Sequence, residues 1–220
     1  MNQAESVLRA VLWIHIAGGT LALITGLGAI LTSKGSNLHR KFGKAYFWSM
    51  STVFVSALVL AVGHSRMFLL MVAFFSYYMT VRGYRMLYRK KLGAGVKVKF
   101  IDWFVTVVSG TFMLCLIGWG LYQVLAGNSM GIVGIVFGLF GSMFAFQDVK
   151  SFVNPPADKM HWWYGHIGGM GGSYISALTA FIVVNIQIPQ YGWTLWVTPP
   201  IIGGMLIGMT VRRYKAQFAK

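Results

Sequence analysis

The chain has 220 residues, of which 56% are hydrophobic and only 10% are charged. So small a charged fraction argues against a soluble domain and favours a protein whose solvent is mostly lipid. The formal net charge of +15 is of the kind seen in nucleic-acid-binding proteins. We expect no nucleic-acid partner, because the cations cap apolar segments and do not form one basic face on a soluble module.

Seven apolar runs follow one another along the chain. At about 1.5 Å per residue, such runs match the roughly 30 Å hydrocarbon core of a bilayer. They cover residues 10–32, 45–63, 67–88, 100–125, 131–148, 161–186 and 194–211. The first run is too long for the apolar part of a cleavable signal peptide, so it counts as a helix. The sequence therefore predicts an all-α polytopic transmembrane bundle of seven helices, with residues 1–220 as a single domain.

The basic residues are concentrated in every second connection between the apolar runs. If the N-terminus lies outside, all of the 19 Lys and Arg except Arg9 and Arg66 fall at inner loops and helix ends. Cytoplasmic loops of inserted bundles carry such an excess of positive charge. We therefore predict an outer N-terminus and a cytoplasmic C-terminus. Membrane lipids are the expected partners, with anionic headgroups of the inner leaflet opposite the basic face.

Proline and glycine indicate where helices bend or pack. The pair Pro199-Pro200 falls inside the seventh run, which predicts a helix that kinks there or begins properly near Ile201 after a re-entrant entry. Glycines four residues apart predict close helix contacts and are also compatible with a homo-oligomer. These pairs are Gly134 and Gly138, Gly165 and Gly169, Gly168 and Gly172, and Gly204 and Gly208.

Two histidines, His15 and His166, lie within predicted spans. An ionisable group inside a membrane costs roughly 2.5 to 3.5 kcal/mol on insertion scales, so each is a candidate functional residue. Each is followed within four residues by two glycines. Imidazole ligates haem iron or a divalent metal, and a nearby glycine leaves a groove beside it. Both are candidate ligands of haem b, and the alternative is a histidine hydrogen-bonded to a neighbouring helix.

Further histidines extend the candidate cofactor site. By its predicted depth in the membrane, His15 matches His64. His166 matches His39 or His161 in the same way. His39 and His64 are 25 residues apart in sequence, or about 37 Å along a helix. This distance disfavours a compact two-haem arrangement that uses both, and a single site fits better.

Two aspartates define a second candidate site. Asp102 and Asp148 are predicted at the inner helix ends, where ion pairs with Arg82, Arg85 or Lys150 are the favoured interpretation. The alternative is a metal site, for example for zinc, that resembles in outline the seven-helix zinc hydrolases of membranes. Its candidate ligands are His161, His166, Asp102 and Asp148. Those hydrolases show a histidine pair at four-residue spacing, which this chain lacks.

Three stretches, residues 13–30, 34–50 and 166–185, resemble a bacterial family of integral membrane proteins known as domain of unknown function 2306. The most specific parts are His39-Arg40-x-x-Gly43 and residues 173–185. The resemblance covers most of the chain and implies a multi-pass protein of the bacterial inner membrane, without an established activity. The histidine pattern is more loosely similar to two-haem b-type cytochromes, which place four histidines at two depths.

Three functional hypotheses follow. The first is a membrane protein that binds haem or carries out redox chemistry through intramembrane histidines. The second is a transporter or binding protein for an ion or small molecule, with a midplane cavity. The third is a His/Asp metal-dependent membrane enzyme, so whether the protein is an enzyme stays open.

Overall fold

A computed structural model describes residues 3–218 and shows seven α-helices. They are α1 (Gln3–Leu31), α2 (Asn37–Gly63), α3 (Met67–Arg85), α4 (Phe100–Leu125), α5 (Met130–Val153), α6 (His161–Asn185) and α7 (Gly192–Phe218). A short 3₁₀ turn, Met86–Tyr88, extends α3. All seven helices are long and apolar enough to cross a membrane. The all-α fold class with seven spans is confirmed, and the orientation stays a prediction.

Four helices extend beyond the predicted apolar runs, namely α1, α2, α5 and α7. α2 begins at Asn37 because Ser36 caps it, its hydroxyl oxygen accepting from the backbone N–H of His39 at 3.2 Å. Serine favours this position since it satisfies an amide that has no partner inside the helix. His39 therefore lies in the first turn of α2, ahead of the predicted apolar run 45–63. α5 continues to Val153 and ends just before Asn154-Pro155, since the residue before a proline disfavours helical geometry.

The two prolines of α7 lie inside a continuous helix. The predicted alternative of a helix that begins near Ile201 after a re-entrant entry is therefore wrong. Proline has no N–H, so the carbonyls four residues earlier, on Leu195 and Trp196, lack their usual helical donors. The helical hydrogen-bond pattern continues on both sides of this gap.

The chain divides into two compact units, and the division falls within α3. Unit 1 is the chain up to Tyr77, and unit 2 is the chain from Tyr78 onward. Each unit has its own packing contacts. The single domain predicted from the sequence stays a prediction.

In unit 1, small residues let α1 and α2 pack closely as an antiparallel pair. A Cβ atom added at Gly18 would lie 3.3 Å from the Thr52 side chain, and the ring of Phe42 covers Gly28. The first part of α3 contacts α2 through Tyr77, whose ring stacks on Phe54 with 4.3 Å between centroids. Van der Waals packing of this kind drives association where lipid removes the hydrophobic difference.

In unit 2, glycines bring helix backbones into direct contact. A Cβ atom added at Gly120 of α4 would lie 2.6 Å from the carbonyl oxygen of Gly131 in α5. α3 crosses α6 in the same way, with Gly83 against the backbone at Gly169. Gly204 and Gly208 of α7 have no neighbouring atom within 4 Å of an added Cβ, so four-residue spacing alone does not identify a contact.

We predict that Gly120→Leu destabilises the α4–α5 pair, because an added side chain would overlap the backbone of α5. Overpacking costs about 1–3 kcal/mol where side chains can move, and a backbone neighbour cannot, so we expect at least that loss. The measurement is thermal unfolding in detergent micelles. Gly118→Leu is the matched control, since it lies on the same helix in open space. Equal melting temperatures for the two variants would contradict the prediction.

Candidate functional site

His15 is tied to α2 through one ring nitrogen. Its Nδ1 lies 2.9 Å from the hydroxyl oxygen of Ser56. The Ser56 hydroxyl donates its own hydrogen to backbone carbonyls, at 2.7 Å from that of Thr52. Because the serine hydrogen is engaged there, the imidazole Nδ1–H is the donor in the His15–Ser56 bond. A neutral His15 therefore keeps its lone pair on Nε2, the nitrogen that ligates metals in this tautomer.

His166 is tied to α3 in the same manner. Its Nδ1 donates to the carbonyl oxygen of Gly83 at 2.9 Å. Gly83 lies in the last turn of α3, where carbonyls have no partner inside the helix. Gly169 packs on Gly83 at this crossing and allows the approach. His166 thus satisfies the C-terminal end of α3, as the hydrogen-bonded alternative predicts.

The three histidines of unit 1 lie at three different depths along the α1–α2 pair. His39 donates from Nδ1 to the carbonyl of Ala29 at 2.9 Å, 14 residues along α1 from His15 and therefore about 21 Å away along the axis. His64 follows Gly63, which contacts Leu8, placing it about 10 Å from the level of His15. Unit 1 therefore does not bring two histidines together at one iron.

His161 does not share a site with His166. Its Nδ1 lies 2.9 Å from the carbonyl of Asp158, and its Nε2 lies 3.1 Å from the carbonyl of Arg89. Both ring nitrogens therefore face backbone oxygens, and α6 is held to the turn that follows α3. Within residues 3–218 no three His, Cys, Asp or Glu side chains are grouped as a metal site. The zinc hypothesis for His161, His166, Asp102 and Asp148 stays a prediction.

The two aspartates of that hypothesis belong to a different arrangement. α3 and the turn after it carry one tyrosine and three arginines at spacings of four, three and four residues, which place them on one helix face. These residues and the two aspartates form what we call the charge cluster. It consists of Tyr78, Arg82, Arg85, Arg89, Asp102 and Asp148. All members lie in unit 2, at the end where α3 meets α4 and α5 meets α6.

Asp148 of α5 is held from both sides. Its Oδ1 accepts from Arg82 Nε at 3.0 Å, and its Oδ2 accepts from the Tyr78 hydroxyl at 2.9 Å. Only 2% of Asp148 is exposed. The Arg82 guanidinium also lies over the ring of Phe144, with 5.0 Å to the centroid. Both carboxylate oxygens are therefore used in binding α3 to α5.

Asp102, near the start of α4, makes a bidentate pair with Arg85. The two hydrogen bonds measure 2.8 Å and 2.9 Å. One carboxylate oxygen also accepts from the backbone N–H of Lys99 at 3.0 Å, which caps the helix. Planar two-point pairing is the strongest arginine–carboxylate arrangement. The predicted ion pairs of Asp102 and Asp148 with Arg85 and Arg82 are confirmed.

Arg89 is the member with unused hydrogen-bonding capacity. It is 2% exposed, and its Nε and Nη1 have no hydrogen-bond partner. Its Nε lies 3.8 Å from Asp102 Oδ1, beyond hydrogen-bond distance, and its guanidinium covers the Phe152 ring. Burial lowers the pKa of Arg89, whereas the nearby carboxylates Asp148 and Asp102 act in the opposite direction. Arginine nevertheless stays protonated in proteins.

A small cavity opens among the side chains of the charge cluster. The free volume for the centre of a water molecule is about 10 Å³. Val105 and Thr106 of α4 complete its lining. That volume is close to the minimum that holds one water molecule.

Sequence reasoning found the arginines and aspartates that pair but missed Arg89 and Tyr78 as members. Arg89 follows the third apolar run, so hydropathy assigns it to a loop. The signal that identifies both is positional. Tyr78, Arg82, Arg85 and Arg89 recur on one face of α3 and its extension.

No family model, curated protein or solved structure matches the chain. The resemblance to domain of unknown function 2306 stays a prediction.

We predict that Asp102→Asn destabilises the protein by about 3–5 kcal/mol, because removing one partner of a buried pair leaves a charge uncompensated. Here Arg85 would lose its carboxylate and Arg89 its nearest negative charge. The measurement is the free energy of unfolding in detergent.

Asp158→Asn is the control for this prediction. Asp158 is exposed, and its Oδ1 accepts from the backbone N–H of Met160, a bond that an amide oxygen can retain. We expect a change within about 0.5 kcal/mol. A similarly small loss in Asp102→Asn would show that the charge cluster does not depend on its ion pairs.

Proposed function

We propose that this integral membrane protein binds haem b, with His15 as an axial ligand. The observation that supports it most is the hydrogen bond from His15 Nδ1 to Ser56, which orients the imidazole and leaves the Nε2 lone pair for iron. Ligating histidines almost always donate their second ring nitrogen in this way.

Open space beside His15 supports the proposal. Gly19 lies one turn beyond His15 on the same helix face, and an added Cβ there would meet no atom within 4 Å. Gly18 instead packs against α2. One glycine of the pair therefore supports the helix contact, and the other leaves open space beside the ring.

His166 is the second candidate ligand. Its Nδ1–H is fixed by Gly83, so its neutral ring also keeps the Nε2 lone pair. Its structural role at the end of α3 is independent of iron. His39 and His64 stay candidates at levels of the α1–α2 pair other than that of His15, where each would need its own haem. When bound, haem supplies one-electron chemistry at a potential that axial ligands and burial set.

We expect protein purified after haem supplementation to show a Soret band that shifts on reduction with dithionite, and His15→Ala to lose it. The measurement is the absorption spectrum with haem content per chain. His161→Ala is the matched control, since both ring nitrogens of His161 face backbone carbonyl oxygens and it is not among the proposed haem ligands. A colourless wild-type protein, or unchanged haem content in His15→Ala, would contradict the proposal.

A sharper experiment removes the orienting group and leaves the ligand. Ser56→Ala should weaken haem affinity about 10–100-fold, as loss of such partners typically does. Thr20→Val is the control, because Thr20 is exposed and its hydroxyl bonds only within α1, to Ile16. Equal haem affinity in the two variants would show that haem binding does not depend on the hydrogen bond between His15 and Ser56.

Ion or small-molecule transport is the second candidate function. The buried charge cluster favours it, since ionisable groups within membrane spans mark ion and substrate paths. A cleft of about 330 Å³ lies beside Gln187 and Trp196 at the opposite end of α6. Uptake by proteoliposomes distinguishes transport from haem binding, which requires none.

A further inference from the structure

The charge cluster contains one more cation than anion. Arg82, Arg85 and Arg89 contribute three positive charges, and Asp102 and Asp148 contribute two negative ones. Arg82, Arg89 and both aspartates are at most 7% exposed, and the Arg85 side chain is 16% exposed. An excess charge held away from water is costly unless a counter-charge lies beside it.

The carboxylates compensate the charge of Arg89 only in part, since its Nε lies 3.8 Å from Asp102 Oδ1, beyond hydrogen-bond distance. Asp148 is used by Arg82 and Tyr78, and Asp102 forms its bidentate pair with Arg85. Arg89 is left with two buried nitrogens, Nε and Nη1, that no described atom accepts from. Buried donors of this kind nearly always have an acceptor, supplied by protein, water or an ion.

The cavity beside Arg89 has room for a small acceptor. Its free volume of about 10 Å³ suits an occupant with the dimensions of a water molecule or a monatomic ion. A phosphate group or an organic carboxylate needs several times that space. Of the small occupants, only an anion balances the charge of the cluster.

We propose that the charge cluster binds one halide ion, chloride under ordinary conditions, with Arg89 as its principal donor. The ion accepts from the Arg89 guanidinium and neutralises the third arginine. This site uses none of the histidines proposed to hold haem, and neither proposal depends on the other.

The test measures melting temperature in detergent while sodium chloride or bromide replaces sodium gluconate at constant ionic strength. Gluconate is too large for the cavity and serves as the reference anion that does not bind. The constant ionic strength keeps general charge screening the same in all salts. We expect a saturable rise for the wild type, about 5 °C or more when the halide exceeds its dissociation constant about 100-fold. An equal response to halide and gluconate would overturn the proposal.

Arg89→Gln removes the excess charge and keeps an N–H donor toward Asp102. In gluconate, where the wild type lacks its counter-ion, we expect this variant to melt at or above the wild-type temperature. In saturating chloride the wild type should melt higher. If Arg89 only stabilises the fold, the variant should melt below the wild type in both salts. That outcome would contradict the proposed halide site.

Lys91→Gln is the matched control, since it removes the same charge from an exposed residue two positions away. Its halide response should equal that of the wild type. Chloride NMR provides a measurement that does not depend on any variant being stable. Wild-type protein should broaden the ³⁵Cl resonance, and bromide should reverse that broadening by competition; no broadening above that of empty micelles would count against binding.

Discussion

Unit 2 depends on the pairing of two buried aspartates with the arginine face of α3. A carboxylate in an apolar span has no solvent to stabilise it, so α4 and α5 must present Asp102 and Asp148 where guanidinium groups are fixed. The hydrogen bonds from Arg82 and Arg85 satisfy this requirement and determine how deep each helix sits against α3. Glycine contacts between the helix backbones then set how closely they approach. Polar pairing fixes the register, and van der Waals packing fills the space between.

Much of the fold could be predicted from hydropathy, because seven apolar runs need seven spans whatever their sequence details. The helix ends could not, since they depend on local hydrogen bonds that hydropathy does not record. Ser36 starts α2 eight residues before the apolar run begins, and α7 absorbs two prolines that composition alone marks as a break. The ion pairs were predictable from charge and depth. Arg89 was not, because its burial depends on how the turn after α3 packs against Phe152.

The histidines show why a candidate ligand and a structural histidine look alike in sequence. His15 and His166 each place one ring nitrogen in a hydrogen bond to the neighbouring helix, with a glycine three residues later at the helix crossing. The two differ in what surrounds the ring. His15 has open space one turn further along α1, whereas His166 completes the end of α3. Such differences arise from the neighbouring helix, and a single sequence does not reveal which helix that is.

The prolines of α7 give this helix a mechanical property that the others lack. Straight helices resist bending because a bend stretches backbone hydrogen bonds on its convex side. At Pro199 and Pro200 two of those bonds do not exist, so α7 can flex there without breaking any. None of its described residues is fully buried, although Trp196 packs on the ring of Phe137 and Gly203 on Ile175. A bend at the prolines would therefore move the segment before them relative to the part of α7 that packs on α6 through Gly203 and Ile207.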